Sequence, residues 1–208
     1  MLRNVIYISL SIILFFAGTL IYGIILNINE LTLEESMKKK GIEKIDDPYL
    51  IVDRKNYFVE LYSGDIQIKK YRAAFGKNRS SIKTSPHDFV TPVGEFKICD
   101  KTDSTKYYKK LILNYPTIKD AAEGLKKNLI TQAEFYKIKT AQEYGECPPF
   151  DTQLGGNISI HGLGKFNIVL KNLPFVFNWT NGSIAISNEG MDELFSVMQI
   201  GNDVKIIN

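Results

Sequence analysis

The sequence predicts a mostly β domain with one helical insertion, carried behind an N-terminal transmembrane helix. Three observations lead there. An uncharged apolar run, Val5 to Leu26, covers 22 residues. From Tyr49 onward, short alternating apolar segments recur between Gly, Pro, Asn and Asp. One long stretch inside that region, "TIKDAAEGLKKNLITQAEFYKIKTAQE", has helical character instead.

At about 1.5 Å of rise per residue, the N-terminal run is long enough to cross a hydrocarbon core of about 30 Å. Arg3 and the free amine precede it. A signal peptide has a shorter apolar core and a small-x-small cleavage site. Here Ala17 and Gly18 lie inside the run, and apolar residues continue beyond them. Residues 1–26 are therefore read as an uncleaved anchor, with a cleaved signal as the alternative. Arg3 favours an inner N-terminus, whereas Lys38, Lys39 and Lys40 pull the other way.

Residues 27–48 form a polar stalk, with "LTLEESMKKKG" predicting a short helix that ends at Gly41 and Pro48 closing the segment. The domain then runs over residues 49–208. "YFVELYS" and "IQIKKYRAAF" flank Gly64-Asp65, a hairpin turn signal. Residues 77–90 read as a polar loop. In "TPVGEFKICD", Pro92 precedes a strand and Gly94 marks close backbone approach or a bulge. The helical stretch breaks near Asn128 and restarts at Thr131, with Glu134 three residues on as a capping box. "GGNISIHGLG" is a strand ending at His161, "SIAIS" a short strand, "NEGMDELFSVM" a helix begun by Asn188, and "DVKII" a final strand.

Apolar residues make up 44% of the 208 and aromatics 12%, which suits a β-rich domain. The formal charge of +3, with scattered lysines, gives no footprint for nucleic acid. Cys99 and Cys147 are one disulfide or two thiols; their spacing is not that of a metal site, and no cofactor is implied. Cys147 as a nucleophile is disfavoured by "GECPPF", where the double proline argues for a fixed loop.

With only two histidines, the candidates for chemistry are few. His87 lies in the polar loop and reads as solvated. His161 sits at a strand end before flexible backbone, and Ser183 follows Gly182 at the start of another strand. Two strand tips can bring an imidazole and a hydroxyl together, the minimum set for acyl transfer. Spacing alone equally allows two structural residues. Trp179 reads as packing or a cleft wall, and Tyr107, Tyr108, Lys109 and Lys110 as a groove or a solvated strand edge. Asp151 and Glu189 are nearby in sequence, but neither is required to hold the histidine.

"TPVGEF", "GGNISIHG" and "NWTNGSIAISNEGMDELF", in that order, resemble the L,D-transpeptidase (YkuD-like) catalytic domain. The resemblance covers roughly residues 49–208 and includes the helical insertion. It implies a β-sandwich-like fold and acyl transfer on peptidoglycan stem peptides: a cysteine attacks, D-alanine leaves, and a second amine takes the acyl group. Carried over by position, His161 is the base, and the carbonyl of Gly162 orients its ring. Thr180 and Gly182 match the motif, Asn181 replaces a second histidine, and Ala185 stands where many members have arginine. Gly162, Asn181 and Gly182 would form the oxyanion and substrate-binding surround, with no metal.

Ser183 occupies the cysteine position. A thiol with a pKa of about 8.5 can persist as thiolate beside an imidazole, whereas a serine hydroxyl must lose its proton during attack. Three readings stay open: a transferase working with serine, a catalytically inactive protein binding cell-wall peptide or a partner protein, or an introduced replacement of cysteine in an otherwise active enzyme. The implied place is the cytoplasmic membrane, single-pass, with the domain facing the periplasm or cell exterior.

Overall fold

A computed structural model of the chain describes residues 2–28, 30–104 and 106–208. Met1, whose amine was counted above among the flanking charges, Asn29 in the stalk, and Thr105 lie outside the described residues. The apolar run forms one helix, α1 (Leu2–Ile28), with large apolar side chains exposed along it. The polar segment after it is folded onto the domain. Its helix α2 (Leu33–Lys39) starts at a capping box between Thr32 and Glu35. Leu33 is buried in the main core, and its N–H donates to Glu193 Oε1 at 2.8 Å.

Among the described residues, eight strands make one mixed sheet. They are β1 (Pro48–Asp53), β2 (Phe58–Ser63), β3 (Ile66–Arg72), β4 (Gly94–Ser104), β5 (Tyr108–Leu113), β6 (Ser159–Gly162), β7 (Ile184–Ile186) and β8 (Asp203–Ile207). Their order is β3-β2-β1-β8-β4-β5-β6-β7. The predicted antiparallel character holds for most neighbours, while β1 with β8 and β6 with β7 are parallel. A parallel pair needs a long crossover. Here the β6–β7 crossover is the loop between His161 and Ser183.

Strand β4 explains the sandwich-like shape. Gly94–Lys97 pairs with β8, and Ile98–Ser104 pairs with β5 across a bulge at Ile98/Asp100. A bulge bends its strand and raises the local twist. The two halves of the sheet then close on one core. Leu50, Val52, Val59 and Leu61 come from one half, Leu111, Leu113, Ile160 and Ile184 from the other. Helix α6 (Asn188–Val197) adds Met191 and Leu194. It starts at Asn188 as predicted, and the cap is Ser187, whose Oγ accepts from the Gly190 N–H at 3.1 Å.

The insertion is a helix pair, α3 (Ile118–Lys126) and α4 (Gln132–Glu143), each opened by a capping box. Asn128, at φ 56°, breaks them where the sequence predicts. Ala121, Ile130, Ile138 and Leu154 form their own small core. A Cys99–Cys147 disulfide ties the end of this insertion to β4, which resolves the pairing that sequence left open and removes Cys147 as a nucleophile.

Candidate active site

Strands β6 and β7 fix the site. Their parallel register sets Ile160 beside Ile184 and His161 beside Ala185. Side chains alternate along a strand, so Ser159 and His161 share one face with Ser183 and Ala185. Ile160 and Ile184 turn to the opposite face, into the core, and hold the pair of strands in register. Ser183 lies level with Ser159: its Oγ accepts from the Ser159 N–H at 3.2 Å and lies 3.4 Å from the Ser159 hydroxyl. His161 stands two residues farther along the same face. Strands spaced about 4.8 Å apart, with about 3.3 Å of rise per residue, put the two Cα atoms roughly 8 Å apart on a diagonal.

His161 is 5% exposed. Its Nδ1 lies 2.8 Å from the Gly162 carbonyl oxygen. A carbonyl only accepts, so Nδ1 carries the proton and Nε2 keeps a free lone pair. Burial pushes the imidazole pKa below its ordinary value; the Gly162 carbonyl opposes that shift, and Lys110 adds to it. The ring is therefore neutral at pH 7, the form a general base requires. Tyr107 packs on it with ring centroids 4.9 Å apart, and Trp179 meets it edge-on at 6.2 Å.

Gly162 has no room for a side chain. An added Cβ would come within 2.7 Å of Asn188 Oδ1 and 2.9 Å of the Tyr108 Cβ. Asn188 also clamps the next turn, accepting from the Gly164 N–H at 2.9 Å and donating to its carbonyl at 3.1 Å.

The turn before Ser183 is held by Thr180, which is 4% exposed. Its Oγ1 donates to the Ser183 carbonyl at 2.5 Å and accepts from the Gly182 N–H at 3.2 Å. Gly182 has φ 121°, and a Cβ there would meet the Val90 carbonyl oxygen at 2.8 Å. The turn thus requires glycine both for its backbone conformation and for its contact. Since the Gly182 N–H already has a partner, an oxyanion using it would displace the Thr180 hydroxyl. Asn181 is exposed at the rim, while Gly182 is buried and Ser183 half-buried.

A cavity of about 270 Å³ lies beside the site, lined by Leu163, Trp179 and Ala185 but by neither His161 nor Ser183. Its far wall is Asn27 and Glu30 to Thr32, the segment that leaves α1. A second groove, about 820 Å³, runs past Val93, Tyr115 and Asp120 and touches neither His161 nor Ser183. Among the described residues, no group of three or more His, Cys, Asp or Glu side chains is placed to share a metal ion.

The remaining sequence candidates separate cleanly. His87 is exposed in its loop. Tyr108 and Lys109 turn away to Asp192 on α6, with the Tyr108 hydroxyl 2.9 Å and Lys109 Nζ 2.7 Å from its carboxylate. Glu189 pairs with Lys171 and accepts from Asn167, and has no part in orienting His161. Ser159 was missed. Two residues before His161 on a period-two strand, it shares the histidine's face, and applying the alternation to "SIH" would have found it.

The family model of the L,D-transpeptidase catalytic domain, YkuD, matches residues 47–206. No curated protein sequence matches the chain. Among solved structures, the helical cell shape determining protein Pgp2 from Campylobacter jejuni superposes with a TM-score of 0.50 at 17% identity, covering 84% of this chain and 55% of that one. Bd1075 from Bdellovibrio bacteriovorus gives 0.49 at 15%, covering 79% and 50%. An L,D-transpeptidase from Xylanimonas cellulosilytica gives 0.45 at 12%, covering 79% and 62%. The chain thus spans between half and about three fifths of the length of these structures. By its match over residues 47–206, the chain belongs to the L,D-transpeptidase catalytic domain (YkuD) family.

Proposed function

We propose that this protein binds peptidoglycan stem peptides at the His161–Ser183 face and carries out acyl transfer on them, slowly, with serine as nucleophile. The observation that carries the reading is His161 itself: buried, neutral, with Nδ1 held by the Gly162 carbonyl and Nε2 left to accept a proton. In the reaction, Ser183 Oγ attacks the carbonyl carbon of the scissile peptide bond as its proton passes to His161 Nε2. The C–N bond then breaks, His161 returns the proton to the departing D-alanine amine, and the acyl group remains as an ester on Ser183. An incoming amine forms the new amide, and Ser183 regains its proton through His161.

A second reading, a non-catalytic protein that binds cell-wall peptide, is favoured by a different observation. The Ser183 hydroxyl is engaged by Ser159, so in this state its partner is a backbone N–H rather than an imidazole. Incubating the full chain with a tetrapeptide stem and measuring D-alanine release separates the two. Release that exceeds that of a His161→Gln variant supports the transferase. Stem-peptide binding without release supports the binding protein, and neither binding nor release refutes both.

The domain's place is proposed as the outer side of the cytoplasmic membrane, with α1 as a retained single span. Two features support this. The Cys99–Cys147 bridge belongs to an oxidising compartment. The end of α1 also carries built contacts to the domain, with Asn27 Nδ2 donating to the Lys171 carbonyl at 3.0 Å and to Asn172 Oδ1 at 2.7 Å. A discarded signal would have no use for such contacts.

A further inference from the structure

The crossover between the two halves of the site, residues 164–177, is partly inverted in polarity. It contains a 3-10 turn, Gly164–Phe166, and a single helical turn, α5 (Asn167–Leu170). Its asparagines face inward: Asn167 is 8% and Asn172 4% exposed. Asn167 Nδ2 donates to Glu189 at 2.9 Å, its Oδ1 accepts from the Asn188 N–H at 2.9 Å, and Asn172 Nδ2 donates to the Ile168 carbonyl at 2.7 Å. Leu170 and Val176 pack against the buried Ala74, Leu163 and Ala185, but five other apolar side chains face outward. Phe166, Ile168, Val169, Phe175 and Phe177 are each between 45% and 73% exposed. A loop in water is expected to show the reverse pattern, and a concentrated apolar patch on a surface marks an interaction site.

What covers the patch follows from where it sits. Gly23 of α1 lies within the apolar span Leu2–Ile25. The Asn172 carbonyl presses so closely on it that an added Cβ would stand 1.7 Å from that oxygen. Four residues on, Asn27 bonds the same pair of crossover residues. The crossover therefore touches the helix inside the last turns of its apolar span. Lys165, its ammonium 5.3 Å from the Phe166 ring, supplies a cation beside the apolar residues, as amphipathic surfaces do at the headgroup level.

We infer that residues 164–177 are a lipid-binding seat, inserted into the interface of the same bilayer that α1 spans, on the domain's side. The inference rests on reading α1 as a retained span. It makes the loop between the base and the nucleophile position a membrane-bound element.

The test uses the full chain in proteoliposomes of phosphatidylethanolamine and phosphatidylglycerol, labelled by a lipid-soluble photoactivated carbene and read by peptide mass spectrometry. The reference is the peptide over residues 132–146, whose Tyr136 and Tyr144 are also exposed but lie on the insertion. Residues 164–177 are expected to label at least about fivefold more than that reference, as suits side chains reaching about 5–10 Å into the interface. Labelling equal to the reference, with α1 labelled, overturns the seat and leaves the span intact. An unlabelled α1 overturns the span reading itself, and the seat with it. The double change Ile168→Asp and Val169→Asp should remove labelling from residues 164–177 while leaving α1 labelling and the thermal midpoint unchanged. Persistent labelling in that variant also overturns the proposal.

Discussion

Replacing Ser183 by cysteine should turn a reluctant nucleophile into a ready one, and the structure sets the size of the change. The Ser183 oxygen accepts the Ser159 N–H at 3.2 Å. A hydrogen bond to a charged acceptor is worth about 1 kcal/mol more than one to a neutral acceptor. At about 1.4 kcal/mol per pKa unit, that bond lowers a thiol from about 8.5 to about 7.8. At pH 7.5 the thiolate fraction then rises from roughly a tenth to roughly a third. Half-burial of the position works against the shift, which sets about 7.8 as the lower end of the expected range. The assay is alkylation by iodoacetamide across pH, read on the peptide that contains position 183. Cys99 and Cys147 are bridged, so the introduced thiol reacts without competition from them. In parallel, D-alanine release from a tetrapeptide should increase at least about 100-fold over the parent chain, the lower end of what a positioned base contributes. A variant that melts like the parent, titrates at 8.5 or above and releases no D-alanine would refute the claim that the base and its surroundings are intact.

The other expectations concern the frame of the site. In the Ser183→Cys background, His161→Gln should lower D-alanine release by about 10²- to 10⁴-fold with little change in peptide binding, as measured by kinetics and calorimetry. Burial holds the folded-state pKa of His161 below the ordinary 6.5. The unfolded chain therefore takes up that proton first, and this contribution to stability falls as pH drops below about 6.5; thermal melts from pH 7 to 5 should decline less steeply in His161→Gln. Gly182→Ala forces a side chain into φ 121° and against the Val90 carbonyl. It should cost about 2–3 kcal/mol, which calorimetry would read as a fall in melting temperature of roughly 5–10 °C. Reducing the Cys99–Cys147 bridge, which spans a sequence separation of 48, should cost up to about 4 kcal/mol by loop entropy, seen as a lower urea midpoint in reductant.

Much of this molecule was legible from local chemistry. The break at Asn128 and restart at Thr131 could be read because a capping box is a contiguous signal. Gly64-Asp65 gave the β2–β3 hairpin for the same reason. Pairing direction was not legible. Nothing in "SIAIS" or "DVKII" states that each runs parallel to a neighbour, because alternation fixes which face is buried but leaves the partner open. The docking of Leu33 into the core and the inward-facing asparagines of the crossover depend on residues more than a hundred positions away or on irregular backbone, where no period exists to read. At the candidate site, His161 and Ser183 were singled out through motifs, whereas the hydrogen bond between Ser159 and Ser183 needed the strand register.

The way α1 joins the domain governs how far the protein can search. Residues 28–47, if free, would extend up to about 70 Å and let the domain sweep a wide volume around its helix. Instead the link is pinned at Asn27, at Leu33 through Glu193, and at Asp46 through the Ser63 hydroxyl. The domain then travels with its helix as one body. On the proposed reading of α1 as a retained span, it would meet only the cell-wall strands nearest its own foot, and lateral diffusion of the whole molecule, rather than swivelling of a tethered head, would determine which ones it visits.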